Sequence, residues 1–127
     1  MISDYLKKKI KSFKYAFTGI AELWKHESNT RIHMFFTIVV LIISVLLKVS
    51  RTEICILVLI IGAVWSAEAM NSAIERVVDL VTAEKNPIAK AAKDLAAGSV
   101  LILAISSVLI GLVIFLPKII AIFVPNL

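Results

Sequence analysis

The stretch ICILVLIIGAVWSAEAMNSAIERVVD, residues 54–79, decides how this chain folds and where its chemistry lies. An uninterrupted apolar run continues, with no proline, into five polar residues: Glu68, Asn71, Ser72, Glu75 and Asp79. At about 100° per residue, these five fall within one sector of a helix about 100° wide. Carboxylates at membrane depth cost free energy unless a cation, a ligand or water satisfies them. This polar face is therefore a candidate functional site.

The composition predicts an all-α integral membrane protein with a single domain, residues 1–127. The chain is 60% hydrophobic and has a mean hydropathy of +0.95, whereas soluble domains are about 45–50% apolar. Its single cysteine, Cys55, excludes an intramolecular disulfide and a cysteine-based metal site. The formal charge of +5 comes without a basic patch interleaved with aromatic residues, so we do not expect nucleic acid as a partner.

Three apolar segments predict three transmembrane helices, at about residues 28–47, 54–80 and 95–116. The first two have apolar runs of only 16 residues, with His33 near the start, and 14 residues, but their helical pattern extends into the neighbouring polar residues. The third has 22 uncharged residues before Pro117, which is enough to span alone because about 20 are needed.

The distribution of lysine and arginine predicts the orientation of these helices. Eleven of them precede the apolar run of the first span or lie between the apolar runs of the second and third, and three lie in the other loop and the tail. By the positive-inside rule, the N-terminus and the second loop lie in the cytoplasm. No cleavable signal peptide is expected, since the first 25 residues lack an apolar core.

The N-terminal segment, about residues 4–25, predicts an amphipathic helix. Large apolar residues recur every three or four positions, and lysines fill most of the remaining surface. Such a helix lies in the membrane interface with its lysines near anionic headgroups. The alternative is a helix packed on the spans, and both hold if it covers a site at the membrane surface.

The strongly polar residues converge on the cytoplasmic side and suggest phosphate chemistry. Glu75, together with Glu27 from another helix, can hold a hard cation such as Mg²⁺, which binds through one or two carboxylates plus substrate phosphates. Glu68 lies deeper and is a candidate general base for a molecule that arrives from the membrane. Lys93, next to Asp94, can meet a phosphate as a point charge.

Other interpretations of the same residues stay open at this point. Neither G-x-x-x-x-G-K-[ST] nor G-x-G-x-x-G is present, so a phosphotransferase here would not resemble a soluble one. Glu68 and Glu75 can instead pair with Arg76 or Lys93 as packing contacts between helices. Membrane carboxylates also suit a small ion or proton transporter. His33 is interpreted as an interfacial or packing histidine.

The motifs nevertheless resemble those of a known family. The core E-x-x-N-S-A-I-E at residues 68–75, with Asp79 and the later Lys93-Asp94 pair, looks like the prokaryotic diacylglycerol kinase family of small trimeric membrane kinases. The segments E-x-N-x-R-I-H at residues 27–33 and N-P-I-A-K at residues 86–90 resemble its undecaprenol kinase branch. The resemblance covers about residues 13–116.

The resemblance implies a homotrimer of three-span chains in the bacterial cell membrane, with active sites shared between subunits at the cytoplasmic interface. ATP would donate its γ-phosphate to the hydroxyl of a membrane lipid, with Mg²⁺ as cofactor. It favours undecaprenol as the acceptor, and diacylglycerol is the alternative.

The resemblance also implies a role for each matching residue. Glu68 would be the general base, Glu27 and Glu75 the metal-binding carboxylates, and Asn71 a positioning residue. The nucleotide would be bound by residues that meet its phosphates and sugar, flank it or lie near the adenine: Lys93, Asp94, Asp79, Glu84 and Tyr15.

Overall fold

The chain forms four α-helices. A computed structural model describes the backbone of residues 2–26 and 28–124 and the side chains of residues 4–25 and 29–124. The helices are α1 (Ile2–His26), α2 (Ser28–Leu46), α3 (Arg51–Val81) and α4 (Pro87–Phe123). The prediction of an all-α chain is confirmed, since no strand occurs within these residues. Three helices, α2, α3 and α4, are long and apolar enough to cross a membrane, as predicted.

Short polar sequences set the beginnings of α3 and α4. Before α3, the Ser50 hydroxyl accepts a hydrogen bond from the Glu53 backbone N–H at 3.3 Å, and the Glu53 carboxylate accepts one from the Ser50 N–H at 2.6 Å. This reciprocal capping box satisfies two donors that a helix start leaves unpaired. Asn86 caps α4 in a similar way, by accepting from the N–H groups of Ile88 and Ala89, with Pro87 in the first helical turn.

Helices α3 and α4 form the main hairpin of the fold, joined by a short loop at residues 82–86, and they make the most extensive contact between any two helices. Val49, Leu57 and Ile114 form a small buried cluster at the end of the hairpin opposite this loop. Helix α1 is tied to α2 by the almost fully buried Thr30 hydroxyl, which donates to the Leu23 carbonyl at 3.2 Å.

Helix α4 extends at both ends beyond the apolar segment, residues 95–116, from which the third span is predicted. It begins at Pro87, so Lys93 and Asp94 lie on the helix, and it continues through Pro117 to Phe123. An interior proline removes one backbone donor, and apolar helices tolerate this because neighbouring groups satisfy the freed carbonyl. Just beyond it, the Lys118 ammonium lies 3.1 Å from the Glu53 carboxylate and joins the two helices at this end.

Most of the large apolar side chains that the structure describes are exposed, including many on the spanning helices. Soluble monomers rarely leave such continuous apolar surface in water. The surface therefore fits contact with lipid or with other protein chains.

Candidate functional site

The polar face of α3 changes from buried to exposed along the helix. Glu68 and Ser72 are only 4% and 5% exposed, Asn71 and Glu75 are half-buried, and Asp79 is exposed. The predicted polar face therefore begins in the protein interior, at Glu68, and ends at an exposed surface, at Asp79.

Glu68 is held by a histidine from the neighbouring helix. The His33 Nε2 atom on α2 lies 2.6 Å from Glu68 Oε1. One turn away, the Trp65 indole N–H donates to the Thr37 hydroxyl at 3.2 Å, and that hydroxyl donates to the His33 carbonyl at 2.7 Å. Because a buried charge is costly unless it is paired and hydrogen-bonded, this contact is what permits a carboxylate at this depth.

Two polar atoms next to Glu68 are buried without a hydrogen-bond partner. Asn71 donates from Nδ2 to Glu75 Oε1 at 3.1 Å, which leaves its Oδ1 atom unpaired, and the Ser72 hydroxyl is unpaired as well. Such atoms are few in proteins, and each needs an explanation such as a bound ligand, ion or water.

A cleft of about 820 Å³ opens between α1, α2 and α3 beside these residues. Its wall is mostly apolar and includes Trp24 and Trp65, whose ring centres are 6.3 Å apart. Ser72 lines it too, whereas Glu68 is not among the lining residues and contacts His33. The lining also includes the charged residues Glu22 and Arg76. A mostly apolar cleft with a few polar groups fits a long apolar molecule that carries a polar end.

Four of the five residues predicted to bind the nucleotide line a second cleft, of about 500 Å³, at the loop between α3 and α4: Asp79, Glu84, Lys93 and Asp94. Lys93 donates to Asp79 Oδ1 at 2.5 Å, across the hairpin, and Lys90 forms an ion pair with Asp94. These charges are exposed enough for a polar ligand to exchange with them.

The fifth residue predicted to bind the nucleotide, Tyr15, is not brought to this cleft. It lies on α1 and is 63% exposed. Glu27 lies outside the described residues. Among the residues that are described, no three His, Cys, Asp or Glu side chains lie close enough to hold a metal ion. The predicted metal pair therefore stays a prediction.

The polar contacts in the structure differ from the helix-packing pairs that the sequence suggests, in which Glu68 and Glu75 bind Arg76 or Lys93. Glu68 pairs with His33, Glu75 accepts from Asn71, and Lys93 pairs with Asp79. Sequence reasoning assigned His33 to packing and missed its contact with Glu68. Two facts could have indicated this contact. A buried carboxylate needs a hydrogen-bond donor, and His33, at the polar start of the first span, is a side chain that can donate.

Fold and site together define a helical protein of membrane type, with a buried carboxylate beside an apolar cleft and a charged cleft farther along the same helix. The family model of the prokaryotic diacylglycerol kinases matches residues 14–115. This match covers most of the chain, and the chain therefore belongs to the prokaryotic diacylglycerol kinase family.

Individual relatives agree with this assignment. An undecaprenol kinase from Bacillus subtilis (strain 168) is 47% identical over 108 residues, which cover 85% of this chain and 88% of the relative. A diacylglycerol kinase from Synechocystis sp. is 36% identical over 89% of this chain and 65% of its own length. The diacylglycerol kinase of Escherichia coli (strain K12) is 30% identical over 79% of this chain and 82% of the relative.

Proposed function

We propose that this protein is a lipid kinase that transfers the γ-phosphoryl group of ATP to the hydroxyl of a membrane lipid. The observation that carries the proposal is the buried Glu68 carboxylate, which lies within one helical turn of two residues that line the apolar cleft, Trp65 and Ser72. Farther along the same helix, Asp79 lines the charged cleft. Family membership supports the same reaction.

In the proposed reaction, the lipid hydroxyl gives its proton to the Glu68 carboxylate while its oxygen bonds to the γ-phosphorus of ATP. The bond between that phosphorus and the bridging oxygen to the β-phosphate breaks, and ADP leaves with the electron pair. The products are a lipid phosphate, ADP and a proton that Glu68 returns to solvent. Catalysis of this kind rests largely on positioning and on electrostatic stabilisation.

The charged cleft is the proposed site of the nucleotide. Lys93 would meet the phosphates after its bond with Asp79 is exchanged, because both side chains are partly open to solvent. Asp94, Asp79 and Glu84 would bind or flank the rest of the nucleotide. Tyr15, on α1, stays a proposed contact of the adenine.

Mg²⁺ is the proposed cofactor, and the residues next to Glu68 fit it. The unpaired Asn71 Oδ1 and the Glu75 carboxylate are hard oxygen donors of the type that this ion prefers. Glu75, with Glu27, would hold it, and Asn71 would orient Glu75 through their hydrogen bond. When bound, the ion supplies charge neutralisation at the phosphates.

The proposed acceptor is undecaprenol, and diacylglycerol is the alternative. The relative with 47% identity carries the name undecaprenol kinase, and the more distant relatives carry the name diacylglycerol kinase. One hydroxyl at the membrane surface is chemically alike in both lipids, so the choice depends on how the tail fits the apolar cleft.

The proposed assembly is a homotrimer in the cell membrane, with the N-terminus and the active site in the cytoplasm. The single domain would comprise a surface helix and three spans. Apolar side chains on α1, such as Ile10, Phe13 and Phe17, are exposed in the part of the chain that the structure describes. A helix of this kind is satisfied by lying in the membrane interface, and exposed surface on the spans is available to neighbouring subunits.

The deciding experiment is transfer of radiolabelled γ-phosphate by the purified protein in detergent micelles with Mg²⁺. Undecaprenol and diacylglycerol are offered in parallel, and the labelled lipid is separated by chromatography. We expect phosphorylation of both, with the higher kcat/KM for undecaprenol. A folded protein that labels neither lipid would refute the proposal.

A further inference from the structure

We infer that His33 positions the catalytic carboxylate of Glu68, by occupying one carboxylate oxygen so that the other faces the lipid hydroxyl. The inference rests on the proposed function. It adds to that function a residue from a different helix, whose contact depends on how α2 packs against α3.

The contact itself is close and directional. His33 Nε2 lies 2.6 Å from Glu68 Oε1, and the side chains are 21% and 5% exposed. A carboxylate has no proton to donate, so in the state that acts as a base Glu68 accepts and His33 Nε2 carries the hydrogen. Oε1 is then occupied, and the reacting oxygen is Oε2.

Among the side chains that the structure describes, the one ionisable partner shown for His33 is Glu68. A small cavity of about 90 Å³ between α2, α3 and α4 borders its ring. The described residues that line this cavity are apolar or neutral, including Thr37, Trp65 and Ser107. No other acidic or basic side chain among them competes with Glu68 for the imidazole.

A second contact fixes the register in which the two side chains meet. The bond from Trp65 to Thr37 joins the same two helices one turn away. With both contacts formed, α2 cannot slide along α3 without breaking a partly buried hydrogen bond. Because a glutamate has three rotatable bonds, a fixed donor at one oxygen removes freedom that catalysis would otherwise have to restrict.

The test compares two amides at position 33 that differ in length. In His33→Gln the side-chain N–H₂ occupies nearly the place of Nε2 and can still donate to Glu68, whereas in His33→Asn it is too short to do so. Phosphate transfer to undecaprenol is measured as kcat and as KM for lipid and for ATP. Thermal unfolding in the same detergent identifies any variant that has lost its fold.

We expect His33→Asn to lower kcat about 10- to 100-fold, a range typical of a misplaced reacting group, with both KM values within about twofold. His33→Gln should recover most of kcat. Ser44→Ala serves as the control, because the buried Ser44 hydroxyl lies on the same helix but donates to the Val40 carbonyl of α2 itself, and we expect this variant to keep wild-type kcat. Equal kcat in His33→Asn and wild type, or equal losses in the Asn and Gln variants, would overturn the inference.

A spectroscopic measurement tests the contact without reference to activity. The chain has two histidines, so protein labelled with ¹⁵N only in histidine gives the ring signals of two imidazoles, and His33→Gln assigns them. Glu68→Ala should shift the His33 signals, and unchanged signals would disprove the contact. If wild-type protein transferred no phosphate, the proposed function would fail, whereas an active wild type with an indifferent His33 would remove the positioning role alone.

Discussion

The two ends of the polar face of α3 hold their carboxylates in opposite ways. Glu68 is 4% exposed and accepts from the His33 ring at 2.6 Å. Asp79, about 16 Å farther along the helix at 1.5 Å per residue, has a side chain that is 66% exposed and pairs with the flexible ammonium of Lys93. The buried contact joins α2 to α3, and the exposed one joins α3 to α4.

This difference suits the two ends of the polar face to two different functions. A buried pair is hard to break, because either partner left alone would be an unsatisfied buried group. An exposed ion pair contributes about 0–1 kcal/mol and exchanges readily with another anion. The buried end therefore suits a reacting group whose geometry must be fixed in advance, and the exposed end suits a phosphate that must enter and leave.

The largest expected effect is at the buried end, in Glu68→Gln. The amide oxygen can still accept from His33, so the helix contact and the fold are retained, but the group no longer takes a proton. General-base catalysis contributes about 10²–10⁴-fold, and we expect kcat to fall by that factor with little change in KM. Full activity of this variant would show that Glu68 is not the base.

Next in size is the response to Mg²⁺ when Glu75, which lies between the two ends, or the other proposed metal ligand, Glu27, is changed. Glu75→Gln and Glu27→Gln should each raise the Mg²⁺ concentration for half-maximal activity about tenfold or more, because a neutral amide is a weaker ligand for this ion than a carboxylate. The matched control is Glu53→Gln, an acidic residue at the start of α3, far along the helix from Glu75. An unchanged Mg²⁺ dependence would remove the altered residue from the metal site.

The same comparison explains how far the sequence could predict the molecule. The polar face of α3 follows from helical periodicity, and the spans follow from hydropathy, because both are local properties of one segment. His33 and Glu68 are 35 positions apart, and only the packing of α2 against α3 joins them. The full length of α4 could not be predicted either. Its first turns are polar, and Pro117 suggests a helix end, although the helix continues to Phe123.

At the exposed end, Lys93→Met should act on nucleotide binding. A hydrogen bond to a charged group is worth roughly 1.5–3 kcal/mol, so we expect KM for ATP to rise about tenfold or more, with a smaller change in KM for the lipid. Lys90→Met is the control, because Lys90 lies one turn earlier on α4 and forms its own exposed pair with Asp94. If both variants behaved alike, Lys93 would act only through the general positive charge of the cleft.

The smallest expected effect lies at the other end of the α3–α4 hairpin, in Lys118→Met. This variant breaks the 3.1 Å contact with Glu53 but keeps the capping box, because Ser50 still bonds Glu53 through its backbone and side chain. We expect a slightly lower Tm and wild-type kcat and KM, since the pair lies far along both helices from the two clefts. Thermal unfolding and the phosphate-transfer assay measure both. A large loss of kcat with an unchanged Tm would mean that the packing of α3 against α4 at this end affects the active site. The contrast between a fixed buried end and an exchangeable exposed end would then not be enough to explain activity.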